Sequence, residues 1–176
     1  RAVTQSVGDR LPDIGQIHAF PPLPSATFAL RGSATAGRST ERTLVARTVD
    51  SPTAAVEALG RTDLLAIGLG PAHPPKFLHA LGDRDDWEDL RVFGALLTDL
   101  YSVVTQPNVH YRSGFYGPAE RLLRDSGADI TYVPADFRRF GPIVEQIAPR
   151  VMATAAAPPD SKGNLSLSLH AGATVD

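Results

Sequence analysis

The sequence predicts an α/β fold with a largely parallel β-sheet and helices on both of its faces. Short, continuously apolar segments such as 63–70 and 91–97 have the pattern of strands that are buried on both sides. Segments with helix start and stop signals separate them, as expected for successive βα units. At 176 residues the chain is long enough to bury the core of one such domain.

Composition divides the chain into two parts. Residues 1–43 are rich in Pro, Gly, Ser and Thr and have no helical period, so we expect an irregular arm or leader there. Residues 44–176 are expected to form the α/β domain, and its first strand could lie at 43–49. The first helix is predicted to begin after Ser51 and to end before Gly60, because serine caps helix starts and glycine ends helices.

The later elements follow in regular alternation. In chain order we predict strand 63–70, helix 74–82, strand 91–97, helix 117–127, strand 128–134, helix 135–147 and strand 150–157. The stretch 98–116 is predicted to be irregular. Leu122 and Leu123 are expected to face the core, and Pro142 is expected to break its helix because proline cannot donate a backbone hydrogen bond.

Composition also limits the possible functions. Apolar residues at 43% and charged residues at 20% are typical of a globular domain, and a net charge of −2 gives no support for nucleic-acid or membrane partners. No apolar run approaches the roughly 20 residues that span a bilayer. The lack of cysteine excludes disulfides, thiolate metal sites and cysteine nucleophiles. It is compatible with a reducing compartment, and we expect a cytoplasmic location.

Ligands of parallel α/β sheets bind outside the carboxyl ends of the strands. Three segments follow predicted strand ends, at 68–75, 98–101 and 157–165, and we expect all three at one edge of the sheet. The first contains GLGPAHPP, which departs from the dinucleotide fingerprint because His73 stands where a third glycine is required. It could be a tight strand–helix turn or a loop that approaches an acyl or phosphate-bearing ligand.

The histidines and carboxylates leave several hypotheses open. His73 could line a pocket, and His79 is expected at the surface. His110 is expected to pack among aromatic neighbours, with contact to substrate as the alternative. Neither their spacing nor the composition predicts a metal site. Asp99 and Asp160 follow strands, where they could serve as acid and base or could fix loops as Asx turns. The glutamates, by contrast, fall on predicted helices, turns or the leader.

Four segments, taken in order, resemble the acetyl-CoA hydrolase/transferase family, which includes 4-hydroxybutyrate and acetate CoA-transferases. They are residues 68–81, 90–98, 114–144 and 155–168. In the first, the family pattern is matched by Pro74, Phe77, Leu78, Ala80 and Leu81. In the last, it is matched by Pro158, Pro159, Asp160, Gly163, Ser166 and Leu167, with Ser168 in place of a glycine. The resemblance covers about residues 63–173.

The resemblance implies an N-terminal domain of the NagB/RpiA type in an enzyme that transfers coenzyme A between carboxylic acids or hydrolyses acyl-CoA. The ligands would be a coenzyme A thioester as substrate and small carboxylates, with no permanently bound cofactor. Family members carry an acyl anhydride and then a thioester on a glutamate of their second half, and no residue here matches that motif. We therefore expect no catalytic residue in this chain, and a partner in the form of a C-terminal catalytic half or a second copy.

The residues that the resemblance places along the acyl-CoA cleft are Gly68, Gly70, His73, Pro74, Thr98, Pro158, Pro159, Asp160 and Gly163. Lys162 and Arg112 could meet a carboxylate or a phosphate, although a solvated surface role is the commoner one. Two other functions stay open. One is a sugar-phosphate isomerase-like enzyme on the same fold, which would need Asp99 and Asp160 as its acid/base pair. The other is a non-catalytic binding or structural domain.

Overall fold

The computed structural model describes residues 48–167. The arm predicted at 1–43 lies outside this part, as does most of the possible strand at 43–49, whose last two residues have no regular structure. The described residues contain one five-stranded sheet. Its strands are β1 (Thr62–Leu69), β2 (Asp89–Ala95), β3 (Val109–Ser113), β4 (Ile130–Tyr132) and β5 (Val151–Ala153).

The strands lie in the order β4-β3-β2-β1-β5, and every neighbouring pair is parallel. α1 (Pro52–Val56) precedes β1, and three further α-helices connect the strands: α2 (Pro75–Gly82), α3 (Pro118–Asp125) and α4 (Phe137–Ile147). Short 3-10 segments lie at Gly70–Ala72 and Ser102–Thr105. The predicted α/β fold with a parallel sheet is therefore confirmed, and the sheet is open.

Helices cover both faces of the sheet, as predicted. On one face, buried residues of α1, α2 and α3 pack with alternate residues of the central strands, such as Leu65 and Tyr111. On the other face, Phe140 of α4 packs against Phe93 of β2 with ring centroids 5.1 Å apart. The longest described helix is α4, with 11 residues, and none of the helices in this part could cross a membrane.

Local capping signals placed the helix starts correctly. The Ser51 hydroxyl accepts a hydrogen bond from the Ala54 N–H at 3.1 Å, so Ser51 caps α1 as predicted. α1 nevertheless ends at Val56, earlier than expected from Gly60. At α4 the Asp136 carboxylate caps the helix by accepting from the Arg138 and Arg139 N–H groups at 2.9 and 3.1 Å.

Several predictions about individual segments were wrong. The stretch 98–116 contains β3, in which buried and exposed residues alternate because this strand is less completely covered than β2. Leu122 is 55% exposed, and only Leu123 of the leucine pair reaches the core. α4 was expected to break at Pro142, but it continues through this residue. Pro142 is exposed, so water can reach the carbonyl one turn earlier, which lacks its N–H partner. β5 is also shorter than the predicted strand at 150–157.

The amino ends of β1 and β5 are joined by a charged pair. The Asp63 side chain is 1% exposed and accepts a hydrogen bond from Arg150 Nε at 2.8 Å, and Arg150 Nη2 contacts the other carboxylate oxygen. Asp63 also accepts from the Gly60 and Leu64 N–H groups, each at 2.9 Å. Burial raises the pKa of Asp63, but the hydrogen bonds from Arg150, Gly60 and Leu64 outweigh it and lower the pKa below 3.8.

Replacing Asp63 with Asn should destabilise the fold by about 2–3 kcal/mol, because the buried hydrogen bonds lose their charge and Arg150 loses its partner. The lowered pKa means that this stabilisation is complete above about pH 4 and is lost as the pH falls through the lower, folded-state value. Urea unfolding of the wild type and of Asp63→Asn at pH 7 measures the difference. The control is Asp125→Asn, which removes an exposed pair with Arg124 and should cost less than about 0.5 kcal/mol. Equal losses in the two variants would contradict this account.

Candidate functional site

The carboxyl edge of the sheet has a topological switch point between β1 and β5. From β1 the chain proceeds to β2, β3 and β4 in one direction, and it then crosses through α4 to place β5 on the other side of β1. Such a reversal opens a crevice at the carboxyl ends of the two strands. Because all the strands are parallel, the segments after β5, β1 and β2 emerge side by side, which confirms that the three predicted site segments share one edge.

The loop after β1 is fixed by close packing and by hydrogen bonds across the switch point. The Ala72 carbonyl accepts from the Ala155 N–H at 2.8 Å and from the Thr154 hydroxyl at 3.2 Å. A Cβ atom at Gly68 would lie 2.7 Å from the Ala72 Cβ and 3.0 Å from the Thr154 hydroxyl, so a side chain does not fit there. Gly70 begins the 3-10 segment with φ +48°, a conformation that favours glycine.

This loop offers few backbone donors to a ligand. Pro71, Pro74 and Pro75 have no N–H group, and the His73 N–H is bonded to the Gly70 carbonyl at 3.0 Å. Gly68, Gly70, His73 and Pro74 are all buried in the described structure. These residues therefore give the edge its shape and rigidity. The loop offers few of the free backbone N–H groups with which a phosphate-binding loop holds its ligand.

His73 lies beneath the edge and connects the loops after β1 and β2. It is 2% exposed, and its Nδ1 lies 3.3 Å from the Thr98 hydroxyl. Burial lowers the pKa of His73 from 6.5 to about 4, and the nearby Ala95 backbone opposes this shift only in part. The imidazole is therefore neutral at physiological pH, where it can pair with a hydroxyl without the cost of a buried charge.

Thr98 is the exposed member of this chain of polar groups. Its hydroxyl lies 3.2 Å from the Tyr101 hydroxyl as well as 3.3 Å from His73. Burial raises the pKa of Tyr101, so its hydroxyl remains protonated at neutral pH. Two buried side chains thus hold the hydroxyl of an exposed residue just after β2, in a fixed position at the edge where a ligand would bind.

The strand-end aspartates are engaged in local structure. The Asp99 carboxylate lies 3.2 Å from His79 Nε2 and also accepts from the Leu100 N–H at 2.7 Å. Asp160 accepts from the Lys162 and Asn164 N–H groups, both at 2.8 Å, which confirms its role in an Asx turn. These hydrogen bonds, with that of Asn164 the strongest, lower the pKa of Asp160.

The turn that contains Pro158, Pro159, Asp160 and Gly163 is exposed. Its arms are joined by a hydrogen bond of 2.8 Å from the Ala157 N–H to the Ser166 carbonyl, and Gly163 has φ +81°. Among the described residues, no hydrogen bond or ion pair joins this turn directly to the loop at 68–74. The structure therefore brings His73, Thr98 and the segment 154–155 together at one edge, with the turn projecting beyond it.

Glu120 is a buried carboxylate near the carboxyl ends of β2 and β3 that sequence analysis missed. It belongs to α3 but is completely buried, and its Oε1 accepts from the Leu97 N–H at 2.8 Å and from the Ser113 hydroxyl at 3.2 Å. Its Oε2 accepts from the Gly117 N–H at 3.0 Å. Glu120 thus ties the loop after β2 to the end of β3. Its three hydrogen bonds stabilise the loops at the edge, and because the carboxylate is buried a substrate cannot reach it.

The other two histidines lie at the surface. His79 was expected there, and its side chain is 52% exposed, which confirms the prediction. His110 was expected to pack among aromatic residues; this was wrong, because its side chain is 47% exposed and its Nδ1 lies 2.5 Å from the Asp129 carboxylate. Within residues 48–167 no group of three or more metal-binding side chains comes together.

Comparisons with known proteins give two similar structures. The chain is similar to RipA from Yersinia pestis, with 27% identity over 67% of this chain and a TM-score of 0.57. A RipA point mutant gives the same identity, coverage and TM-score. The chain spans about a third of the length of RipA, at 31% and 30% of the two matched chains. No family model and no curated protein matches the chain.

The lowered pKa of His73 should make the fold less stable in mild acid. Its folded-state pKa is about 4 and its ordinary value 6.5, so the unfolded chain takes up a proton in this interval and the folded protein does not. The free energy of unfolding is unaffected by His73 above pH 6.5. It falls as the pH decreases to about 4, by roughly 3 kcal/mol for a shift of this size.

Urea unfolding between pH 7 and pH 4.5 measures this loss. His73→Asn should flatten the pH dependence in this interval, because asparagine does not titrate. His79→Asn, at an exposed site, is the matched control and should keep the wild-type slope. An unchanged slope in His73→Asn would show that His73 is not the group responsible.

Proposed function

We propose that this chain is the N-terminal domain of a CoA-transferase or acyl-CoA hydrolase, and that it forms one wall of the acyl-CoA cleft. The supporting observation is the position of the segments that carry the family resemblance. The loop at 68–74, Thr98 and the turn at 158–163 follow β1, β2 and β5, which are consecutive neighbours in the sheet. Residues far apart in the sequence therefore emerge at the edge where ligands of parallel α/β sheets bind.

The accessible chemistry at this edge suits binding better than covalent catalysis. A transferase of this family needs a free carboxylate that attacks the thioester carbonyl and releases the CoA thiolate. In the described part Asp99 and Asp160 accept hydrogen bonds from their own loops, and the buried Glu120 accepts one from the loop after β2. We therefore place the catalytic glutamate in a second domain or subunit, with this chain supplying the hydroxyl of Thr98 and a proline-stiffened wall.

The isomerase-like alternative is not favoured by this arrangement, because the two aspartates that it requires are fixed in separate loops. A non-catalytic binding domain remains the competing outcome of the test below. We further propose a cytoplasmic location, in keeping with the absence of cysteine.

The test uses the full-length protein as its own cell makes it, with acetyl-CoA and 4-hydroxybutyrate as donor and acceptor. Exchange of the acyl group is followed by chromatography, and hydrolysis by the release of free thiol. We expect one of the two activities. Absence of both would favour the non-catalytic domain.

A pair of glycine variants then tests whether the loop after β1 belongs to the cleft. Gly70 and Gly127 both have positive φ, +48° and +99°, and alanine meets no atom closer than 3.8 Å at the first and none within 4 Å at the second. Each substitution to Ala costs about 1–2 kcal/mol of backbone strain. Gly70→Ala should lower kcat/KM for acetyl-CoA on the order of tenfold, since it displaces the cleft wall, and Gly127→Ala should leave it unchanged. Equal activity in the two variants would contradict the placement.

A further inference from the structure

A groove lies on the sheet face that α4 covers, and its lining includes no residue of the segments 68–74, 98–101 or 157–165. It has a volume of about 510 Å³, within the range of small-molecule sites. Ile143 and Ile147 of α4 line it, together with Val133, which follows β4, and the buried Phe93 of β2. We call this space the α4 groove.

Three arginines converge on the α4 groove from different elements: Arg91 of β2, Arg112 of β3 and Arg139 of α4. Arg91 and Phe93 are two residues apart on one strand, and Arg112 is the register partner of Phe93 on the next strand, so all three lie on one face of the sheet. Arg139, Ile143 and Ile147 follow each other at intervals of four and share one side of α4.

Arginines are unusual on this face. The strands of a parallel sheet that is covered on both sides are apolar on both sides, yet two neighbouring strands here present a guanidinium toward the helix. Arg91 is neutralised by Asp89, with Nη2 to Oδ2 at 2.7 Å and Nε to Oδ1 at 3.1 Å. Among residues 48–167, the side chains of Arg112 and Arg139 make no hydrogen bond or ion pair with another side chain.

We propose that the α4 groove binds an organic anion, with a carboxylate or phosphate held by Arg112 and Arg139 and an apolar body lying against Ile143 and Ile147. Guanidinium groups match the geometry of both oxyanions and can hold them through two parallel hydrogen bonds. The apolar walls supply the remaining contact area, and the two unpaired positive charges give the site its selectivity for anions. This site is separate from the cleft at the carboxyl edge and does not depend on the function proposed for it.

Calorimetric titration of the full-length protein tests the site, with octanoate and octyl phosphate as probes and n-octanol as the uncharged control. Both anions should bind, octanol should not, and added salt should weaken binding because the arginines are exposed. Whichever anion binds more tightly identifies the head group that the site prefers.

Neighbouring arginines on α4 provide the matched variants. Arg139→Gln should weaken binding of the tighter anion about tenfold, as should Arg112→Gln. Arg138→Gln removes the same charge from the next residue, whose side chain is 91% exposed, pairs with Asp136 and does not line the groove, so affinity should be unchanged. Failure of both anions to bind, octanol binding as tightly as the anions, or equal losses in Arg138→Gln and Arg139→Gln would overturn the proposal.

Discussion

Contacts at both ends of β5 hold this short strand against β1, and the geometry of the carboxyl edge depends on that pairing. β5 has three residues and three register positions with β1, so the ladder itself contributes few hydrogen bonds. At the amino end Arg150 reaches the buried carboxylate of Asp63. At the carboxyl end the Ala72 carbonyl accepts from Thr154 and Ala155. A slip of one residue would break both sets of contacts, which is why they define the register.

This pairing creates the switch point, and the switch point brings the candidate site together. Because β5 lies beside β1 instead of extending the sheet beyond β4, the turn at 158–163 starts next to the loop at 68–74. The same crossing places α4 on the face opposite α1 and α2. It therefore produces the α4 groove as well, since α4 leaves room between itself and the arginines of β2 and β3.

Local signals in the sequence were sufficient for the strands β1 and β2, for the helix starts and for the shared edge of the site segments. They failed where a distant residue decides the outcome. Glu120 looked like an ordinary helix residue, because its partner Leu97 lies 23 positions away. The Asp63–Arg150 pair spans 87 positions and has no local pattern. β3 is a different case, because the alternation of buried residues with His110 and Arg112 in VHYRS is a local strand signal that was missed.

Hydrogen exchange of the full-length protein with and without acetyl-CoA tests the placement of the cleft most directly. If the carboxyl edge forms its wall, acetyl-CoA should slow exchange in peptides that cover 68–74, 96–101 and 154–163, because the ligand excludes water from these backbone amides. Peptides from α3, on the covered face, should exchange at the same rate in both states. Binding of acetyl-CoA with no protection in any of the three segments would contradict the account.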